Sequence, residues 1–255
     1  MKIPASIYYA KWALDTLGEE LRSKSSLPIG HRIGAILGGF ISDSWCLYEL
    51  AKGDRSLYLS DYHRKKARLI NGRYDIVLDD KLLFALLMGR FCRVPATIGT
   101  IDGGVFSPVL GSSSDCLTDF LEVFPSGVVL KPNRGTGGRG VHILKRGTTN
   151  SSGTTSEGTY SYHPDTKQQI EGVHIPGWKS MTACLLAVLT QIPCLKYVGW
   201  DIIMTDDGFV LLEGNNCSDV NLLQVHRPLL ADSRVRAFYE HHGVTTWKSP
   251  GIAKD

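Results

Sequence analysis

Several things are missing from this chain of 255 residues. No run is apolar for the roughly 20 residues that a membrane-crossing helix needs; Ile33 to Ile41 comes nearest and is far too short. The opening MKIPASIYYAKWALDTLGEE has no sustained apolar stretch of the kind that marks a secretory leader, so neither a leader nor a membrane span is expected. Charge of one sign is lacking as well. The 28 Lys and Arg face 25 Asp and Glu, a formal net charge of +3. That is too small to argue for a nucleic-acid partner, and the local run Arg64-Lys65-Lys66 reads as a solvated helix face. The six cysteines, Cys46, Cys92, Cys116, Cys184, Cys194 and Cys217, form no C-x-x-C pair and none sits near a His at zinc spacing. With mostly apolar neighbours they read as reduced core residues, which fits a cytoplasmic setting. No internal repeat is visible.

What is present suits a folded domain. Hydrophobic residues make up 43% and charged residues 21%, enough to form a core of normal size. Apolar spacing predicts a helix over Ser6 to Arg22 and a second over Ile33 to Lys52, loosened by Gly38-Gly39. Ser60 is placed to cap a helix from Tyr62 to Ile70, which Asn71-Gly72 breaks. A strongly periodic helix follows from Leu78-Asp79-Asp80-Lys81 to Met88. Phe91 to Val109 reads as extended around a turn at Asp102-Gly103-Gly104, and Ser114-Asp115 could cap a short helix ending near Phe124. Val128 to Lys131 and Gly140 to Lys145 read as β runs; Gly147 to Thr159 is small, polar and low in complexity, a linker. Helix is expected again over Trp178 to Gln191 and Arg227 to His241, with β runs at Tyr197 to Met204 and Phe209 to Glu213. Helix and strand are mixed without the regular alternation of a doubly wound sheet.

The stretch VVLKPNRGTGGRGV, Val128 to Val141, fits G-x-G-x-x-G. A dinucleotide fold needs strand, loop and then helix. Here VHILK follows the last glycine, and these are β-formers, so the arrangement is strand–loop–strand and that reading fails. The P-loop pattern fails because no Lys-Ser/Thr follows, and a kinase fails because H-R-D and D-F-G equivalents are absent. Two readings remain open. Loop amides and Lys131 could hold phosphate oxygens, or the segment is a plain glycine-rich hairpin.

A second constellation is GWDIIMTDDGFVLLEGNN, Gly199 to Asn216. If Asp206-Asp207-Gly208 is a three-residue loop with Gly208 left-handed, Asp201 falls opposite Glu213, and Asn215 shares that face. Like charges across a sheet are unfavourable; a magnesium ion, which takes hard oxygen ligands, would relieve them. The alternative is a solvated acidic face, but Ile202, Val210, Leu211 and Leu212 make the hairpin read as buried. Lys81, at the start of a helix, reads on its own as a surface residue, and helix capping accounts for Asp79 and Asp80.

The order lysine, lysine plus glycine loop, acid, then Glu-x-Asn resembles an ATP-grasp domain. The stretches YLSDYHRKKARLINGRYDIVLDDKLLF, VVLKPNRGTGGRGV, YHPDTKQQIEGVHIPGW and YVGWDIIMTDDGFVLLEGNNCSDVNLLQ are similar to the sugar-transfer-associated ATP-grasp family. The resemblance implies an α+β ATP-grasp fold, with a helical N-terminal region over 1–70 and the ATP-grasp domain over 71–255. Within it a glycine-loop part (79–146), a linker (147–159) and a metal-binding part (160–255) are expected. It implies ATP phosphates on Lys81, Lys131, Gly135, Gly137, Gly138 and Gly140, and magnesium on Asp201, Glu213 and Asn215. It also implies a ligase acting in polysaccharide-related biosynthesis: a carboxylate takes the γ-phosphate to give an acylphosphate, and an amine displaces phosphate. The substrates would be small or glycan-linked carboxylates and amines. Leu144 leads through the linker almost directly to His163-Pro164-Asp165-Thr166. No adenine-contacting hinge is visible there, so an incomplete central subdomain is expected. His163 and Asp165 read either as functional or as turn and cap residues. A non-catalytic domain that keeps phosphate and metal binding is the alternative to the ligase.

Overall fold

The structure, a computed structural model, describes residues 5–103, 105–109, 119, 123–124, 128–134, 142–145, 148–150, 167–169 and 174–245. In chain order its elements are α1 (Ala5–Arg22), α2 (Ile29–Leu37), α3 (Ser42–Leu47), α4 (Asp61–Lys66), a 3-10 stretch Ala67–Asp75, α5 (Ile76–Asp79), α6 (Lys81–Met88), β1 (Gly99–Asp102), β2 (Val105–Pro108), β3 (Val128–Leu130), β4 (His142–Lys145), β5 (Thr148–Asn150), α7 (Trp178–Gln191), β6 (Gly199–Thr205), β7 (Gly208–Asn215), α8 (Asn221–His226) and α9 (Ser233–His241). Contacts divide the chain into two units. The first is Met1–Asp75, Cys194–Gly199 and Asn215–Asp255; the second is Ile76–Pro193 and Trp200–Gly214.

Helix dominates the first unit, and local signals set its ends. The expected second helix divides in two, because Gly39 takes φ +79 between α2 and α3. The Ser60 hydroxyl accepts from the His63 amide at the start of α4, satisfying one of the donors a helix N-terminus leaves unpaired. The helix expected over Arg227 to His241 is corrected. Pro228 cannot donate to a helical ladder, so the chain makes α8, a 3-10 turn at Leu229–Ala231, and then α9, capped by Asp232. One hydrophobic cluster joins Leu59, Ala67, Val220, Leu230, Tyr239 and Val244. A second joins Ala35, Phe40, Trp45, Tyr48 and Leu50.

Buried polar side chains stitch distant parts of this unit together. Gln224, fully buried, accepts from the Leu59 amide at 2.6 Å and donates to the Leu59 carbonyl at 3.1 Å, so a side-chain amide stands in for a missing backbone partner. Asn71 accepts from the amides of Lys196 and Tyr197 and donates to the Tyr197 carbonyl and to Asn216. Glu20 accepts from both the amide and hydroxyl of Ser42 and from Arg32. The Arg64-Lys65-Lys66 run is not simply a solvated face. Lys65 is buried, donating to Thr16 at 3.1 Å and pairing with Glu19 at 2.7 Å. The cysteines are also not core residues: Cys46 is exposed and Cys92, Cys184, Cys194 and Cys217 are half-buried, all free thiols. Cys116 lies outside the described residues.

In the second unit three small antiparallel sheets accompany α5 to α7. Its buried apolar side chains include Leu78, Phe84, Met88, Met181, Leu185, Val188 and Leu211. Strands β1 and β2 form the hairpin expected at Asp102-Gly103, with Asp102 opposite Val105. The strands flanking the glycine loop pair antiparallel, Val128 with Leu144 and Leu130 with His142. A strand therefore follows the loop, as the β-formers after Gly140 require. The low-complexity stretch begins with β5, which pairs with β4 through Lys145 and Thr148; 151–159 lie outside the described residues. Helix and strand are thus mixed, as an α+β class requires. Among the described residues no helix is long and apolar enough to cross a membrane.

Candidate functional site

The second unit gathers four of the expected side chains. Asp80 starts the assembly. Its Oδ1 accepts from the Leu83 amide at 3.0 Å and so caps α6, whose first residue is Lys81. Its Oδ2 accepts from the Asn133 side chain at 2.8 Å, with Arg134 Nε 3.6 Å away. Asn133 returns two bonds: its carbonyl accepts from the Lys81 amide at 3.1 Å, and its Oδ1 accepts from the Leu82 amide at 3.0 Å. The segment just after Lys131 is therefore fastened to the helix that begins with Lys81. Neither Asp80 nor Asn133 stood out as a site residue in the sequence. Asp80 could be read as a cap, but its bond to Asn133 spans 53 positions and leaves no local pattern.

The fastened lysines meet the acidic hairpin. Lys81 Nζ stands 4.0 Å from Glu213 Oε2, with the lysine side chain 19% exposed and the glutamate 33%. Glu213 is hydrogen-bonded to Asp201 and lies within the electrostatic reach of Lys131. Burial raises the Glu213 carboxyl above its ordinary value. Lys81 pulls it down, the bond to Asp201 and that residue's charge push it further up, and Lys131 opposes them. Two carboxyls in contact are flanked by two lysines, so the four charges can balance, but the acids still lie closer to each other than like charges favour.

The hairpin that presents the acids turns at Asp206-Asp207, and Gly208 opens β7 with φ +132. No atom lies near the position of an added Cβ there, so backbone conformation and not crowding calls for glycine. Leu211 is fully buried and its amide donates to the Arg93 carbonyl at 2.9 Å, while Arg93 pairs with Asp207 at the turn. On β6, Phe84 of α6 packs against Trp200 with ring centroids 6.4 Å apart. The hairpin is less buried than its apolar residues suggest: Leu211 is enclosed, but Ile202, Val210 and Leu212 are half-buried and Asp201 is exposed.

Asn215 closes β7 and belongs to the first unit. The glycines Gly135, Gly137, Gly138 and Gly140, and His163 and Asp165, lie outside the described residues. Among the described residues no group of three or more His, Cys, Asp or Glu is arranged to hold a metal. Asp201 and Glu213 are two, and both offer the hard oxygens that magnesium takes.

The model of the sugar-transfer associated ATP-grasp family matches residues 145–237 of this chain. This is the family that the motif order resembles, and the match spans Asp201, Glu213 and Asn215. It covers less than half of the chain; Lys81, Lys131 and the glycine loop lie before it. No curated protein and no solved structure matches the chain.

Proposed function

We propose that this protein is an ATP- and magnesium-dependent carboxylate ligase whose reactive centre is built on α6, the segment at Lys131 and the β6–β7 hairpin. One observation carries the reading: two lysines from separate segments act on Glu213, which is hydrogen-bonded to Asp201 and whose own proton affinity is raised. Lysines suit the phosphate oxygens of ATP as point charges. Asp201 and Glu213, with Asn215 as the third expected oxygen, suit magnesium. When bound, that ion would supply charge neutralisation along the triphosphate.

The chain's own residues have defined tasks in this reading. Asp80 and Asn133 hold Lys81 and Lys131 in place before ATP arrives. Lys81 and Lys131 draw the phosphates toward the acids, and Gly135, Gly137, Gly138 and Gly140 supply loop amides. A substrate carboxylate oxygen then attacks the γ-phosphorus, and the bond to the β-bridging oxygen breaks, releasing ADP. An amine attacks the resulting acylphosphate carbonyl and phosphate leaves, giving an amide. Catalysis rests on positioning and charge neutralisation. The family suggests small or glycan-linked carboxylates and amines from cell-surface polysaccharide synthesis, in the cytoplasm. The test is ATP turnover with candidate acids and amines, with and without magnesium. ADP release that requires magnesium and an acid supports the reading; nucleotide binding without any turnover sinks it.

A second reading is a degenerate ATP-grasp domain that holds phosphate and metal without turnover. It is favoured by the family match starting at 145, past both lysines. Lost adenine contacts would leave a purine edge unpaired, at roughly 1–3 kcal/mol per buried group. ATP, GTP and inorganic triphosphate should then bind with similar, weak affinity. Strong selection for ATP over GTP in competition would refute it.

A further inference from the structure

The first unit contains a cavity of about 270 Å³ lined by Trp12, Asp15, Glu19, Arg22, Arg64, Lys65, Arg68 and Cys217. Trp12, Asp15, Glu19 and Arg22 recur at helical spacing on α1, and Arg64, Lys65 and Arg68 come from α4 and the 3-10 stretch behind it. Four cations thus face two acids. Lys65 and Glu19 satisfy each other at 2.7 Å. Three guanidinium groups then share the cavity with Asp15. Arg22 spends its Nε on the Gly18 carbonyl. Arg64 approaches Asp219 at only 3.6 Å, and that carboxylate is 65% exposed.

The bland account is that cations gather at the C-terminal end of α4, where the helix dipole favours them. It covers Lys66, which lies over the Tyr9 ring. It does not cover Arg64, whose Nε is buried and has no hydrogen-bond partner among the described residues. A buried donor left unpaired is unfavourable, and crowding arginines around it adds repulsion. An anion with several acceptor oxygens relieves the crowding of the guanidinium groups. Guanidinium groups match the oxygens of phosphate and carboxylate two at a time.

We infer that this cavity binds the oxyanion of a small ligand, a phosphate monoester or a carboxylate. Its volume falls just below the roughly 300–1,000 Å³ of sites for drug-sized molecules, which suits a small anionic group. Trp12, mostly buried and stacked on Tyr8 at 5.7 Å, forms an apolar wall for the uncharged part. The site lies wholly in the first unit, while the lysine–acid cluster lies wholly in the second. The inference therefore does not rest on the ligase reading.

The test is calorimetric titration of the full chain with inorganic phosphate and, separately, with acetate, in the absence of nucleotide and magnesium. Arg68→Gln and Arg22→Gln alter exposed side chains, so both variants should fold, which thermal melting checks. Saturable binding should weaken about tenfold or more in each of them and persist in Lys131→Gln. Tighter binding of phosphate assigns a phosphate monoester, and tighter binding of acetate a carboxylate. No saturable binding of either anion would overturn the inference. So would binding that both arginine variants leave unchanged, or binding that only Lys131→Gln removes.

Discussion

Asp61 in the first unit and Glu213 in the second are carboxyls that burial pushes above their ordinary proton affinity, and they differ in what surrounds them: only donors and a cation at Asp61, lysines and a second acid at Glu213. Asp61 is 1% exposed and accepts from the Ile41 amide, the Ser44 hydroxyl and, at 3.5 Å, the Asn221 side chain. These donors, with Arg64 nearby, all favour its charged form. Glu213 is less buried, and its hydrogen-bond partner Asp201 is another acid. A carboxyl surrounded by donors holds structure together; a carboxyl pressed against its like is poised to take a cation.

The largest expected effect separates the two. Glu213→Gln removes a charge and little volume, so ATP turnover should fall by about a hundredfold or more while thermal melting moves little, because relief of charge burial and of the contact with Asp201 offsets the lost attraction to Lys81 and Lys131. Near-native turnover would show that Glu213 is merely another surface acid. Asp61→Ala should do the reverse. Leaving the Ile41 amide and Ser44 hydroxyl buried without an acceptor should cost about 2–4 kcal/mol in chemical denaturation. An unmoved denaturation midpoint would erase the distinction drawn between the two acids.

Acid should weaken the first unit through a different group. His63 is held at about 4 against an ordinary 6.5, first by burial and then by Lys66. Between those values the unfolded chain binds the proton and the folded one does not. Stability should therefore be fully present above about pH 6.5 and fall as pH drops toward about 4. His63→Gln should flatten that slope; an equally steep loss in the variant would place its origin elsewhere. The smallest effect concerns the second unit. Protons and a divalent cation compete for Glu213, whose affinity for protons is raised above the ordinary 4.5. Magnesium binding should weaken as pH falls toward the carboxylate range, and should begin weakening at a higher pH than an ordinary glutamate would impose. Glu213→Gln should lose most of that dependence. Equal affinity across that range in the native protein would argue that the cation sits on other groups.

Much of this was legible in the sequence wherever one stretch of chain carries its own signal. Ser60 and Asp80 act as the caps their positions predict, α7 runs over the expected residues, and the β-formers after Gly140 do form a strand. The acidic hairpin too was visible, because Asp206-Asp207-Gly208 between two β runs is a local turn signal, but the expected three-residue loop is a two-residue turn at Asp206-Asp207, with Gly208 already in β7. Contacts across long separations were not. Lys65 looks like a solvated cation until α1 supplies Thr16 and Glu19, 49 and 46 positions away. Asn133 looks like a loop residue until Asp80 claims it. The family match marks the hairpin and its Glu-x-Asn, yet the clasp that brings two lysines to that hairpin is a tertiary fact.

The most direct test is calorimetry of ATP binding to the full chain with and without magnesium, repeated on Lys81→Gln. The account predicts saturable binding that magnesium strengthens and that the variant weakens by about tenfold or more. Binding indifferent to both magnesium and Lys81, or none at all, would contradict it.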